Sequence, residues 1–325
     1  MARPGTSHPS NATVWTVLGT LYFVWGTTYL AIREVNRTIP PLVGAGLRFL
    51  VAGTALYAFA RMRTGERPTP TQWRGAAIVG LFLLFGGNAG VAWSEHLGTP
   101  TGIVALIIAL VPLWLALFDR VLLRSAPLGW KVVVGLVAGF GGEALLVGGS
   151  AIAGDVPLNG MLIAIGASIM WATGSLYARN APLPRAPLLG SGMQQLAGST
   201  VILAVALLTG AFAGFHPSEV SAASWLGLTW LILAGSFVGF SAYLWLLRNV
   251  RTSLVGTYAY VNPIVAVFLG WLILDETLPL RVVVAAAIVL SSVALIVSAG
   301  GTRRTDSGGA DQRRPEVEAE FGFEG

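Results

Sequence analysis

Apolar residues along this chain come in ten long runs, with neither a strict alternation nor a single apolar stripe. A helix needs roughly 20 apolar residues to cross about 30 Å of hydrocarbon. The runs fall at about 13–33, 41–60, 75–94, 101–118, 130–149, 158–178, 187–209, 225–247, 253–273 and 281–299. Membrane barrels show alternating segments of roughly ten residues instead. The pattern therefore predicts an all-α integral membrane protein with ten transmembrane helices. The first run carries Trp15, Tyr22, Trp25 and Tyr29 without a clear small-residue cleavage site. It reads as a retained helix, not a signal peptide. Residues 1–12 and 300–325 have no apolar face and are expected to be disordered cytoplasmic tails.

Composition agrees. The chain is 54% hydrophobic and 11% charged, against about 25% charged in an ordinary soluble domain, so the bilayer is the expected solvent. The absence of cysteine removes disulfides, thiolate metal sites and cysteine nucleophiles. His8, His96 and His216 form no metal spacing, and no cofactor or metal is expected. The net charge of +5 does not point to nucleic acid, because the basic residues lie in short clusters between apolar runs. With both termini inside, sixteen Arg and Lys fall in inner segments and three, Arg33, Arg37 and Arg281, in outer ones. That asymmetry is the positive-inside signature of a cytoplasmic-membrane protein.

The two halves echo each other. Trp25-Gly26-Thr27-Thr28 matches Trp171-Ala172-Thr173-Gly174 at an offset of 146, and Leu110-Val111-Pro112 matches Val261-Asn262-Pro263 at 151. The expected repeats are 13–150 and 155–299. Five spans per half is an odd number, so the second repeat starts from the opposite face. Two inverted five-helix repeats are a plan of secondary transporters. Pro112 and Pro263, inside matching spans, are expected to kink them, either as static packing features or as sites of flexing and exposed carbonyls.

Trp25-Gly26-Thr27-Thr28-Tyr29, Arg48-Phe49, Gly87-Asn88 through Ser94-Glu95-His96, and Thr257-Tyr258-Ala259-Tyr260-Val261-Asn262-Pro263 through Asp275-Glu276-Thr277-Leu278 together resemble the ten-helix EamA-type branch of the drug/metabolite transporter superfamily, over about residues 13–300. The resemblance implies a cytoplasmic-membrane carrier, often an exporter of amino acids, metabolites or toxic compounds. It also implies a central cavity formed largely by spans 1, 3, 4, 6, 8 and 9. The sequence departs from the family pattern where Leu123-Arg124-Ser125 stands opposite Asp275-Glu276. Spans 1 and 6 carry no internal acid, so the coupling carboxylate of small four-helix relatives is not carried over.

On those cavity spans the candidate substrate-binding residues are Trp25, Asn88, Trp93, Trp114, Trp171, Tyr177, Tyr243, Tyr258 and Asn262. Aromatic walls suit apolar or cationic ligands. The competing reading is the interfacial belt, to which Trp15, Trp73, Trp130 and Trp225 are assigned. Asn88, Asn262, Gln194 and Gln195 serve substrate contact or interhelical bonds equally well. Charges inside hydrocarbon are functional candidates by default. Arg48, about 10 Å deep in span 2, reads as a counter-charge for an anionic or zwitterionic substrate or as a structural bridge, its span lying outside the implied cavity set. Glu95 and His96 at the outer end of span 3 read as proton or cation ligands, or as a wetted helix end. Glu143 is expected to pair with Arg48 or an outer arginine.

The expected partners are the lipid bilayer, a small-molecule substrate and a proton or counter-substrate, with oligomeric state open. The expected activity is secondary transport. A channel or lipid scramblase is the rival. An intramembrane enzyme is disfavoured because the spans lack paired acids and His96 has no clear serine partner.

Overall fold

A computed structural model of the chain describes residues 9–99, 101–121, 128–147, 157–274 and 279–299. Its ten helical segments are α1 (Asn11–Val35), α2 (Pro41–Thr64), α3 (Pro70–His96), α4 (Thr101–Ile108, continuing as Val111–Val121), α5 (Trp130–Val147), α6 (Leu158–Asn180), α7 (Pro187–Leu208), α8 (Ala222–Asn249), α9 (Thr252–Gly256, continuing as Tyr258–Leu274) and α10 (Leu280–Ser298). There is no strand among the described residues. Eight of these helices are long and apolar enough to cross a membrane. Of the other two, α1 packs along α8 and α9, and α5 along α10. Of the expected tails, residues 1–8 and 300–325 lie outside the described residues, as do the Asp275-Glu276 and Leu123-Arg124-Ser125 positions, while α1 begins at Asn11, inside the expected 1–12 tail.

The helices begin and end by ordinary rules. Ser10 caps α1 by accepting from Thr13 N at 3.1 Å. A capping box opens α3: Gln72 N donates to Thr69 Oγ1 (3.3 Å) and Thr69 N to Gln72 Oε1 (2.8 Å). This is why α3 starts five residues ahead of its apolar run. Hydropathy locates the hydrocarbon, whereas caps locate the helix. Prolines fill the first turns of α2, α3 and α7, where no amide hydrogen is needed. Gly65, at φ 64°, ends α2 in the left-handed region.

Helix pairings reveal a two-fold plan. As α1 packs on α8 and α9, so α6 packs on α3 and α4. The pairs α2–α7, α5–α10 and α4–α9 each join equivalent helices of the two halves. Leu18, Leu21, Val43, Phe49, Leu83, Leu84, Ile202, Phe240 and Leu246 build the main buried core, and Leu136, Tyr260, Val289 and Ile296 a second one around α5, α9 and α10. Phe23, Val137, Leu162, Leu207, Leu226 and Leu290 point outward and are exposed. Such a shell is stable only against lipid.

Two local features depart from regular α-helix in both halves. The middle of α3, Leu81–Ala89, and the middle of α8, Leu231–Phe240, wind as π-helix. Meanwhile α4 and α9 are interrupted. The proline expectation holds only in part. The break in α4, at Ala109 and Leu110, leaves Pro112 as the second residue of the next piece. The break in α9 is at Thr257, six residues before Pro263, which stays inside a continuous helix. The interrupted helices cross where Gly256 meets Pro112, with space for a Cβ only 3.2 Å from Pro112 Cα.

Within a bilayer, helices gain little from apolar burial against one another, so close backbone approach matters. At the α2–α7 crossing a Cβ on Gly192 would lie 2.6 Å from Tyr57 N and 3.0 Å from Gly53 O. Gly192→Leu is expected to force the pair apart and cost about 1–3 kcal/mol or more, read as a lowered melting temperature in detergent. Leu207→Ala, on the outer shell, should leave the melting temperature unchanged. Equal melting temperatures for all three proteins would contradict this crossing.

Candidate functional site

Each half contributes one tryptophan to the centre of the molecule, and each tryptophan rests on a π-wound segment of the other half. Trp25 of α1 abuts Gly239 of α8, where an added Cβ would collide with its indole, and its Nε1 donates to Gly235 O at 3.1 Å. Trp171 of α6 lies over Gly87 of α3, where an added Cβ would sit 2.5 Å from the ring atom Cε3. A π turn leaves backbone groups poorly served and marks functional places in helices. Here Asn88 Nδ2 donates back to Leu83 O at 3.4 Å, one π turn away.

Trp25, Trp171, Tyr243 and Tyr258 form one aromatic cluster. Trp25 stands 5.8 Å from Trp171, 5.1 Å from Tyr243 and 4.9 Å from Tyr258 between ring centres. Edge-on and tilted geometries at these distances are favourable. Tyr243 is fully buried behind the others. Its hydroxyl accepts from Trp171 Nε1 at 2.9 Å and shares a 2.6 Å bond with Ser175 Oγ.

In front of this cluster lies a cavity of about 710 Å³. Its wall includes Trp25, Asn88, Trp171, Tyr258, Asn262 and the charged Arg48 and Glu95. It extends towards the C-terminal ends of α1 and α3, where Arg33, Asn36 and Arg37 also line it. The opposite side is closed. There the hydroxyls of Tyr22 and Thr257 join α1 to α9. Further on, Arg179 pairs with Asp119 at 2.9 Å, joining α6 to α4.

Five of the nine sequence candidates for binding thus share the cavity wall: Trp25, Asn88, Trp171, Tyr258 and Asn262. The other four do not line it. Tyr243 is the backing described above. Trp114 donates to Ser168 Oγ at 3.1 Å and stacks on Phe118. Trp93 packs near His96, and Tyr177 against the main core. Asn262, with its amide nitrogen turned to the neighbouring carbonyls, donates to Tyr22 O (3.3 Å) and Tyr258 O (3.1 Å). Its donors therefore tie α9 to α1. Gln195 is likewise interhelical, donating to Ser191 Oγ (3.2 Å) and Ser236 O (3.4 Å).

Two charge expectations are corrected. Arg48 was expected outside the cavity set, yet it lines the cavity, because α2 packs against the π segment of α8 and leaves its guanidinium beside Gly235. Glu143 was expected to pair with Arg48 or an outer arginine. Instead it is fully buried on α5, and neither carboxyl oxygen has a hydrogen-bond partner. The face of α5 one turn before it packs on Tyr260 and Ser292 of α9 and α10, remote in the packing order from α2. Ser236, the partner of Arg48, and Thr28, another wall residue, carried no sequence signal beyond their neighbourhood to glycine and tryptophan.

A bundle of membrane-crossing helices with two-fold related halves, a cavity at their interface and one closed side has the architecture of a membrane transporter. The comparisons place it within that class. The profile of the EamA-like transporter family matches residues 13–148 and 158–298, and the chain belongs to that family. It is 39% identical over 259 residues to the uncharacterized inner membrane transporter YedA of Escherichia coli K12, covering 79% of this chain and 82% of that one. It is 29% identical over 263 residues to protein PecM of Dickeya dadantii, covering 78% and 82%. It is 23% identical over 290 residues to the uncharacterized transporter YvbV of Bacillus subtilis, covering 86% and 90%. A chain of known crystal structure superposes with a TM-score of 0.73 at 21% identity, covering 88% of this chain and 96% of that one, which speaks for the fold.

The buried carboxyl of Glu143 has a measurable consequence. A buried polar group without partners costs about 1–3 kcal/mol relative to an apolar one of the same shape. Glu143→Leu is therefore expected to raise the melting temperature of the purified protein. A clear decrease would show that the carboxyl has a partner in the folded state.

Proposed function

We propose that this chain is a secondary transporter that exports a small organic molecule across the cytoplasmic membrane by alternating access. One observation carries the reading: an aromatic-backed cavity at the interface of two equivalent halves, open towards one face and closed towards the other. In a two-fold inverted structure, exchanging the conformations of the halves exchanges the open and closed faces. The distribution of basic residues supports placing the termini, with the Arg179–Asp119 closure, in the cytoplasm. The present conformation is then outward-open. The aromatic wall supports substrates with an apolar or aromatic body.

The chain has no cysteine, so single-cysteine variants give clean labelling. On intact cells an impermeant maleimide is expected to label His96→Cys directly, and Arg67→Cys only after permeabilisation. The reverse pattern would invert the sidedness.

For transport, the purified protein is reconstituted in liposomes loaded with one of a panel of aromatic amino acids, aromatic acids and amines. External labelled solute is expected to accumulate transiently against its gradient by counterflow. Trp25→Ala should slow that flux at least tenfold while the protein still elutes as a folded species. Flux that never overshoots equilibrium would instead mark a channel, and lipid movement without solute movement a scramblase.

A further inference from the structure

We infer that Arg48 is the anchor for a carboxylate, so that the substrate of the central cavity is an organic acid: one carboxylate on an apolar or aromatic body. The inference rests on the reading of that cavity as the transport site.

The guanidinium of Arg48 lies over the Phe49 ring, its Cζ 4.8 Å from the ring centre. Its Nε donates to Ser236 Oγ at 2.8 Å. It lies beside the bare backbone of Gly235, where an added Cβ would come within 2.6 Å of Nη2. Ser236 is itself steadied, because its carbonyl accepts from Gln195 of α7 at 3.4 Å. The charge is thus oriented by neutral dipoles. Among the described residues no carboxylate pairs with Arg48, and its terminal Nη groups make no hydrogen bond. Yet the residue is only 9% exposed, and what exposure it has is on the cavity wall.

A buried guanidinium without a counter-ion is costly. A bridge from α2 to Ser236 would need only a neutral donor. The planar fork of arginine instead matches a carboxylate with two parallel hydrogen bonds. Arg48 itself sets the sign of the field here, since the other charged wall residues are Arg33 and Arg37 against Glu95. Arg37 is partly offset by Glu34 at 3.0 Å. A cationic substrate would enter against that field.

The apolar half of the ligand site adjoins the fork. Trp25 bonds the carbonyl of Gly235 and Arg48 the hydroxyl of Ser236, consecutive residues of one π-wound stretch. A carboxylate on the fork therefore places its attached body against the indole of Trp25. The equivalent of Arg48 in the second half, at the 146-residue offset, is the neutral Gln194. The acid is thus bound in one orientation, by one half.

Isothermal titration calorimetry in an uncharged maltoside detergent tests this with matched ligands. The set is 3-phenylpropionate, 3-phenylpropanol and 3-phenylpropylamine, the indole counterparts of each, and laurate. The carboxylates are expected to bind at least tenfold more tightly than the alcohols, and the amines most weakly. Arg48→Gln should erase the difference between acid and alcohol while the alcohol still binds, and the variant's melting temperature and elution show that it is folded. Arg48→Lys should keep part of the preference, having charge without the fork. Ser236→Ala should weaken the acids alone.

If laurate binds in an Arg48-dependent way and the aromatic acids do not, the carboxylate anchor stands and its source is the bilayer. Equal affinity for acid and alcohol overturns the assignment, as does an equal loss for all ligands in Arg48→Gln. Failure of every carboxylate to bind also overturns it. In that case counterflow of a neutral or cationic solute would leave the transport reading intact. Tight Arg48-dependent binding with no flux of any solute would sink the transport reading and keep the anchor.

Discussion

An indole ring set against bare backbone requires a glycine at the point of contact. This contact occurs twice here, between Trp25 and the Gly235–Gly239 stretch and between Trp171 and Gly87, each time joining opposite halves. The cavity depends on both. A side chain at Gly239 would collide with Trp25, one at Gly87 with Trp171, and one at Gly235 with Arg48. The π winding of Leu81–Ala89 and Leu231–Phe240 is part of the same arrangement. Its loose hydrogen bonding leaves carbonyls that Trp25, Gln195 and Asn88 take up from the side. Polar atoms in hydrocarbon have no water to turn to, so these side chains hold the widened helices as much as they line a site.

The two-fold plan is therefore structural at the level of helices and broken at the level of side chains. Trp171 gives its indole hydrogen to a tyrosine hydroxyl, Trp25 to a backbone carbonyl. Where the first half has Arg48 the second has Gln194. Packing is thus shared by the two halves, while the charge at this position belongs to the first half alone.

The helix count, their order and the repeat were legible because lipid imposes a length and a polarity on every span. The runs at 41–60 and 187–209 became α2 and α7 with matching starts. The paired Trp-Gly-Thr and Trp-Ala-Thr signals marked the residues that the fold brings to the centre. What hydropathy could not supply was the direction each side chain takes around its helix. Trp93, Trp114 and Tyr177 sit on the right helices and the wrong faces. Arg48 sits on a helix that composition gave no reason to bring to the cavity. The π stretches were equally hidden, since Leu-Phe-Leu-Leu-Phe-Gly-Gly-Asn-Ala reads as an ordinary apolar helix.

Arg48 and Glu143 show how burial alone misleads about function. Both are charged residue types enclosed among helices. Around Arg48 the neighbours are a serine hydroxyl, a glycine backbone and an open cavity, and the serine is braced by a glutamine. Around Glu143 no donor faces either oxygen. A site that holds an ion in low dielectric does so with dipoles fixed before the ion arrives, because creating them on demand costs reorganisation. By that criterion the fixed dipoles of Ser236 and Gln195 give Arg48 surroundings arranged for a charge, and the residue faces the cavity. The surroundings of Glu143 are built for packing.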